Sequence, residues 1–196
     1  MSFDPAQARV RAAIPGDAEA MARTFETTWD AAYRDILPAP AFEELPQECS
    51  PEYWQLVIGA RGPDQSFIVA VDEDDDPIGL ACAGPERFGS LGWAEIYELY
   101  VMPGYQRLGL GRRLLCASFQ AMRKRGCRSG IVWVLAAQHE SRTFYARLGG
   151  LDEYVRISDE WGAQIAQAGY VWDDLGRLFQ QGGPCLRRAV RAEPVP

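Results

Sequence analysis

The sequence has few of the residues and patterns that mark several common classes of functional site. It contains a single histidine, His139, so a catalytic histidine pair or a metal site built from several histidines is excluded. No apolar run approaches the ~18 residues that a membrane-spanning helix needs, and the N-terminus shows no basic segment followed by an apolar core. We therefore expect a cytoplasmic protein with neither a membrane partner nor a signal peptide.

The five cysteines show no CxxC pair and no regular spacing. An odd number of cysteines, mostly within apolar runs, predicts free buried thiols in a reducing compartment. Two of them, Cys116 and Cys127, lie in or next to a predicted helix, which leaves covalent acyl-cysteine catalysis as a less favoured alternative. It is less favoured because the chain has no GxSxG elbow and only one histidine to activate a thiol.

Acidic residues are missing from one segment of an otherwise acidic chain. Of 196 residues with a net charge of −7, residues 1–98 carry 19 acids and 6 bases, whereas residues 99–139 carry 7 bases and no acid. Such a balance excludes a general nucleic-acid binder, because phosphate contacts need a broad basic face. The acid-free segment can still hold a small polyanion, and the acidic N-terminal half favours a cationic partner.

Hydrophobic residues make up 47% of the chain, which predicts a folded protein of one domain rather than disorder. Hydrophobic periodicity predicts the order β-α-α-ββ-β-α-β-α-β-β, an α/β domain with a mixed sheet. Residues 72–76 are all acidic and read as a solvated hairpin turn in preference to a cation site. We expect the domain to span residues 8–178 and residues 179–196 to form a loose tail. The predicted strands cover 8–13, 66–72, 77–84, 93–101, 130–136, 151–157 and 168–172, and the predicted helices begin near 15 and 51 and span 108–125 and 139–148.

The most informative segment runs from the strand at 93–101 through a glycine-containing turn into the helix at 108–125. A helix N-terminus presents unpaired N–H groups and the positive end of the helix dipole. Gly109 and Gly111 lack a Cβ atom, so a ligand can approach the backbone there. This arrangement, within the acid-free segment, predicts a cradle for a pyrophosphate group.

Three types of phosphate-binding loop fit such a turn to different degrees. The P-loop pattern GxxxxGK[ST] is absent. The Rossmann pattern GxGxxG fails because Leu114 stands where the third glycine belongs, and no acid follows about 20 residues later. A coenzyme A site is the third interpretation, and it is the one that the neighbouring residues favour.

The hexapeptide 106–111, Gln-Arg-Leu-Gly-Leu-Gly, resembles the signature Q/R-x-x-G-x-G/A of the GNAT superfamily of N-acetyltransferases. A second hallmark of that family is an Asn after the next strand, followed by a helix with Phe-Tyr and a closing Gly-Phe. This chain has Gln138 at the Asn position, Phe144 and Tyr145 in the helix, and Gly150 in place of the last Phe. Similarity to one bacterial group extends the resemblance to about residues 8–178; it rests on Arg11, Asp17, Trp29, Tyr33, Arg34, 36–38 and 170–175.

The resemblance implies a single domain with a central mixed, mostly antiparallel, twisted sheet flanked by helices. It also implies acetyl-CoA as co-substrate, no metal, and a small-molecule or protein amine as acceptor. Backbone groups of Leu99, Tyr100 and Val101 would hold the pantetheine arm and polarise the thioester carbonyl. The remaining residues that the resemblance assigns to the cofactor are Gln106, Arg107, Leu108, Gly109, Leu110, Gly111, Arg112 and Gln138.

The same resemblance assigns the catalytic groups. Tyr145 matches the usual general acid, which protonates the departing thiolate. Glu95 and Glu98 are both candidates for the base; an ideal strand points them to opposite faces, and a bulge would change that phase. The sequence slightly favours Glu95. Trp29, Tyr33, Tyr53 and Trp54 either line the acceptor pocket or belong to the core.

We therefore expect a transferase that moves an acetyl group from acetyl-CoA to a primary amine by direct attack in a ternary complex. The alternative is a non-catalytic acyl-CoA-binding or sensing module on the same fold, to which the departures at Gln138 and Gly150 point. A homodimer is possible, since dimers are common in the family. The acceptor is not specified by the sequence.

Overall fold

The computed structural model describes residues 4–5, 7–42, 47–89 and 92–186. Within these ranges no helix is long and apolar enough to cross a membrane. The strands and helices are β1 (Arg9–Ala12), α1 (Ala18–Tyr33), α2 (Pro51–Gly59), β2 (Ser66–Val71), β3 (Pro77–Pro85), β4 (Trp93–Val101), α3 (Leu110–Lys124), β5 (Ser129–Leu135), α4 (His139–Arg147), β6 (Leu151–Glu160) and β7 (Ala163–Trp172).

The seven strands form one sheet in the order β1-β2-β3-β4-β5-β7-β6. Only the β4–β5 pair is parallel among the described pairings, which confirms the predicted mixed, mostly antiparallel fold. The last two strands are longer than predicted and form one hairpin, with Glu160 opposite Ala163. The predicted strands leave out residues 158–160 of β6 and 163–167 of β7, because the polar and charged side chains in these two stretches interrupt the apolar alternation.

Helices cover both faces of the sheet. On one face α3 buries Leu114, Leu115 and Phe119, all at 0% exposure. On the other face α1 buries Met21, and α2 buries Trp54. Each such side chain contributes about 1.5–3 kcal/mol of burial free energy, so the packing on both faces stabilises the sheet.

A bulge in β4 sets which face each of its side chains occupies. Ile96 lies opposite Ala83 and Glu98 lies opposite Cys82, so Tyr97 is an extra residue in β4. Ile96 before the bulge and Leu99 after it both pack against the cluster on the α3 side. Glu95 and Glu98 consequently share the opposite face, the side of α1 and α2.

The acidic turn between β2 and β3 is hydrogen-bonded as a hairpin turn. The carboxylate of Asp72 accepts from the main-chain N–H groups of Asp74 and Asp76, each at 3.0 Å. Asp75 forms ion pairs with Arg9 and Arg11 of β1. These contacts satisfy the turn internally and tie it to the neighbouring strand.

The expectation that all five cysteines are free is wrong for two of them. Cys116 in α3 forms a disulfide with Cys185, 69 residues later, while Cys49, Cys82 and Cys127 are free. A separation of that length leaves no spacing signal in the sequence. The main-chain N–H of Cys185 also donates to the Leu178 carbonyl at 3.0 Å. Of the expected tail 179–196, the part to residue 186 is thus held against α3, and residues 187–196 lie outside the described residues.

Candidate active site

β4 and β5 pair only near their beginnings and then separate. Their register runs from Trp93 opposite Ser129 to Ile96 opposite Val132. Beyond this point a groove of 560 Å³ opens, and it is lined by 97–101 from β4 and 132–134 from β5. Because the β5-facing side of β4 has no strand partner there among the described residues, its main-chain groups are available to a ligand.

The beginning of α3 forms one end of this groove. Gly109 is the residue before the helix, with a left-handed φ of 83° that favours glycine. The first helical bond at this end runs from the Arg113 N–H to the Gly109 carbonyl, at 3.2 Å. The N–H groups of the preceding turn therefore have no partner inside the helix and point out of its N-terminus. A Cβ atom on Gly111 would lie 3.3 Å from the Phe144 ring, so glycine also allows α4 to pack closely here.

Most of the residues assigned to the cofactor line the groove: Leu99, Tyr100, Val101, Gln106, Arg107, Gly109, Gly111, Arg112 and Gln138. The other two, Leu108 and Leu110, are not among the lining residues: Leu110 is buried in the core, and Leu108 is 39% exposed outside the groove. Gln106 donates through Nε2 to the Val101 carbonyl at 3.0 Å, which joins the turn to the end of β4. Gln138 stands just before α4, with Nε2 3.5 Å from the Ala32 carbonyl of α1. The donors at the α3 N-terminus fit a pyrophosphate group.

Glu98 faces the groove in a half-buried, acidic setting. The pKa of its carboxyl is raised to about 8: burial is the largest cause, the nearby carboxylate of Glu48 acts in the same direction, and hydrogen bonding from Tyr100 opposes the shift. Glu98 forms no salt bridge within the described ranges. A carboxyl with this pKa can take up a proton near neutral pH, as a general base must.

Glu95 lies outside the groove lining, although the sequence slightly favours it as the base. Its side chain is 1% exposed and forms an ion pair with Arg87, with Oε1 2.6 Å from Nη2. The main-chain N–H of Arg87 donates to the other carboxylate oxygen at 3.1 Å. Sequence analysis did not single out Arg87, because it lies on the connection after β3 and carries no motif.

Tyr145 of α4 reaches the groove from the opposite side to Glu98. Its side chain is 6% exposed, and burial raises its pKa, with the charges of Glu98 and Tyr33 acting in the same direction. The phenol therefore stays protonated across the physiological range and can donate a proton. Phe144, whose ring centroid lies 5.0 Å from that of Tyr145, packs between α4 and the beginning of α3.

Several aromatic residues complete the walls of the groove: Tyr33 from the end of α1, Tyr97 from the bulge, and Trp133 from β5. Of the aromatic candidates in the N-terminal region, Tyr33 lines the groove, whereas Trp54 is part of the core. Tyr97 and Trp133 lay within predicted strands but were not predicted to line the site. Their orientation depends on the bulge and on the strand separation, and neither feature is visible in the sequence.

The described architecture agrees with comparisons of this chain with known proteins. The model of the acetyltransferase (GNAT) family matches residues 28–150, which contain the groove, α3 and α4. The chain belongs to this family. It is therefore an N-acetyltransferase of the GNAT family, and the resemblance seen in the sequence is confirmed.

Three individual relatives each match 86% of this chain. The uncharacterized N-acetyltransferase YuaI of Bacillus subtilis is 28% identical over 174 residues, covering 86% of this chain and 95% of that protein. The PaiA N-acetyltransferase of Thermoplasma acidophilum, solved in complex with coenzyme A, is 21% identical, with a TM-score of 0.64 over 86% of this chain and 98% of its own. YncA of Salmonella typhimurium, solved with its cofactor acetyl-CoA, is 18% identical, with a TM-score of 0.68 over 86% and 94%.

Proposed function

We propose that this GNAT protein transfers the acetyl group of acetyl-CoA directly to a primary amine of a small molecule or protein. The observation that carries this proposal is the groove between the separating strands β4 and β5. Glu98, Tyr145 and the N-terminus of α3 all open onto it. The groups that would act as base, acid and anion cradle thus border one space, which is what acyl transfer in a ternary complex requires.

The cofactor side of the groove would be formed by α3 and by the open edge of β4. Acetyl-CoA supplies an activated acetyl thioester. Main-chain N–H groups at residues 107–111, together with the Arg112 guanidinium, would hold its pyrophosphate, since the Gln106 N–H already donates to the Pro103 carbonyl at 3.3 Å. Main-chain groups of Leu99–Val101 would pair with the pantetheine arm and provide a donor where negative charge develops on the carbonyl oxygen. Gln138 would contact the cofactor where β4 and β5 separate.

The acceptor side would be the face of the sheet that carries Glu98. The Glu98 carboxylate would accept the proton that the ammonium of the acceptor must lose before its nitrogen can attack. Tyr145 would donate its phenolic proton to the departing thiolate. We assign the base to Glu98 and a structural position to Glu95, because Arg87 already pairs with the Glu95 carboxylate and Glu95 does not border the groove.

Local charge supports a cationic acceptor. The Glu48 carboxylate is close enough to Glu98 to raise its pKa, and residues 1–98 carry 19 acids against 6 bases. A protonated amine approaching this side meets a negative potential, which favours its encounter with the groove. Polyamines, aminoglycosides and peptide amines all have this chemistry.

The test is acetyl transfer by the purified protein from acetyl-CoA to a panel of amines: a linear polyamine, an aminoglycoside, a lysine-containing peptide and a peptide with a free N-terminus. Acetylated product and released CoA are both measured by mass spectrometry. We expect product with at least one class and a large loss with Glu98→Gln. Tight binding of acetyl-CoA without product on any acceptor would contradict the proposal and favour the acyl-CoA-binding alternative.

A further inference from the structure

Two tyrosine hydroxyls meet in the wall of the groove beside Glu98. Tyr33 is the last residue of α1, Tyr100 lies near the end of β4, and their hydroxyl oxygens are 3.3 Å apart. Both side chains line the groove. The contact joins a helix from one side of the groove to the strand that carries the proposed base, so it links the position of that strand to α1.

Glu98 and Tyr100 are two residues apart on β4 and follow its bulge, so their side chains project from the same face of the sheet. Hydrogen bonding from the Tyr100 phenol lowers the pKa of the Glu98 carboxyl, and so favours its ionised form. A phenol has one hydrogen to donate and two lone pairs that accept. When Glu98 is ionised, Tyr100 therefore donates to Glu98, and its oxygen is left to accept from Tyr33.

We propose that Tyr100 and Tyr33 are positioning residues for the proposed base, forming a phenol chain Tyr33–Tyr100–Glu98 that orients the carboxylate in both of its protonation states. This inference rests on the proposed function, in which Glu98 accepts the proton of the acceptor amine. Once Glu98 holds that proton, its O–H donates to Tyr100, and Tyr100 in turn donates to Tyr33. The chain reverses direction and each of the three groups stays hydrogen-bonded to its neighbour; the Tyr33 hydrogen turns toward the groove that Tyr33 lines, and no phenolate forms.

The surroundings of the two phenols agree with this reversal. Burial raises the pKa of Tyr33 to about 12 and raises the pKa of Tyr100 well above its usual value, so neither loses its proton while Glu98 titrates. An unpartnered buried oxygen costs about 1–3 kcal/mol, so a chain that is satisfied in both directions keeps either state of Glu98 accessible.

The titration of Glu98 also depends on its other neighbours, which come from every element around it. The titratable and charged groups that act on Glu98, or on which Glu98 acts, are Tyr33 of α1, Glu48 in the turn before α2, Tyr53 of α2, Cys82 of β3, Arg87 after β3, Glu95 and Tyr100 of β4, and Tyr145 of α4. Glu48 and Glu95 raise the pKa of Glu98, whereas Arg87 lowers it. The other groups are unchanged in phenylalanine variants of Tyr33 and Tyr100, so such variants isolate the phenol chain.

The experiment measures the carboxyl titration of Glu98 directly, by carbon-13 NMR of glutamate-labelled protein, with Glu98→Gln to assign the signal. We expect Tyr100→Phe to raise the midpoint by about one pH unit, since it removes a charge-assisted hydrogen bond. We expect Tyr33→Phe to raise it by about half as much. Tyr97→Phe is the matched control: it lies on the same strand and lines the groove, but its hydroxyl donates to the Pro85 carbonyl at 2.6 Å, so the midpoint stays in place.

The outcomes separate this inference from the proposed function. An unchanged midpoint in a folded Tyr100→Phe protein overturns the phenol chain, even where the wild type acetylates amines. A shift with Tyr100→Phe and none with Tyr33→Phe overturns the part assigned to Tyr33. If an amine acceptor reacts, we expect the pH at which kcat/KM rises to shift in each tyrosine variant by the same amount as the NMR midpoint. Above that pH, the kcat of the variant should return to the wild-type value. Failure of every amine to react would instead contradict the proposed function, while the NMR result still decides the phenol chain.

Discussion

Arg87 contacts the carboxylate of Glu95 from two directions, through Nη2 at 2.6 Å and through its main-chain N–H at 3.1 Å. Glu98, three residues later on the same face of β4, forms no salt bridge within the described part of the chain and borders the groove. Two glutamates of one strand are therefore in different situations. The first fixes the connection after β3 to the sheet, and the second is left able to titrate in the groove.

This contrast predicts different consequences for the same substitution at the two positions. Glu98→Gln removes the proposed base, so we expect kcat to fall by about 10²–10⁴-fold without a loss of stability. Glu95→Gln leaves the Arg87 donors without a charged partner, so we expect the free energy of unfolding to fall by about 1–3 kcal/mol. Steady-state kinetics with a reactive amine and urea unfolding measure the two effects. A larger loss of kcat in folded Glu95→Gln than in Glu98→Gln would reverse the assignment.

The pH dependence follows from the pKa of Glu98. Its folded value of about 8 lies above the ordinary 4.5, so the ionised base is present only at higher pH. We expect kcat/KM to rise with pH through about 8 and then level. Because the folded state holds this proton more tightly than the unfolded chain does, Glu98 also makes stability fall between about pH 4.5 and 8. Thermal unfolding across that window should show a Tm that falls with pH, and Glu98→Gln should reduce this fall. A rise of kcat/KM near pH 4.5 in place of pH 8 would contradict the assignment.

The sequence predicts the framework of this site well and its fine geometry poorly. β4 was predicted with its observed bounds, and the start of α3 at Leu110 lies two residues from the prediction, because periodicity and the glycines at 109 and 126 mark these elements strongly. The choice between Glu95 and Glu98 depends on the bulge at Tyr97 and on an arginine from a connection. Both are products of tertiary packing, and no local pattern encodes them.

Tyr145→Phe tests the proposed acid. Removing the hydroxyl keeps the ring packing but leaves the thiolate unprotonated as it departs. A thiolate is a fairly good leaving group, so we expect a fall in kcat of about 10²-fold, at the low end for general acids. Acetyl-CoA affinity, measured by calorimetry, should hold within about twofold. Tyr154→Phe, at a tyrosine that is 46% exposed on β6, serves as the control. Equal kcat for wild type and Tyr145→Phe at every pH would remove Tyr145 from the mechanism.

The two ends of α3 offer a matched test of the phosphate cradle. Gly109 and Gly126 both have a left-handed φ, at 83° and 97°, and a Cβ atom on either would meet nothing within 4 Å. Glutamate therefore introduces the same backbone strain and the same charge at each end. We expect Gly109→Glu to weaken acetyl-CoA binding by at least about tenfold, since its carboxylate repels the pyrophosphate. Gly126→Glu should leave the Kd unchanged, and equal losses of affinity in both variants would argue against the cradle at the N-terminus.

The disulfide between Cys116 and Cys185 predicts a redox-dependent contribution to stability. It closes a loop across a separation of 69 residues, for which the chain-entropy model gives about 4 kcal/mol. We expect Cys185→Ser to lower the Tm under oxidising conditions and to match the wild type in reductant, where the bond is already open. Cys127→Ser, at a free cysteine near the end of the same helix, controls for the loss of a thiol. Alkylation without reductant should modify three thiols after denaturation, and modification of all five would show that the bond is absent in the purified protein.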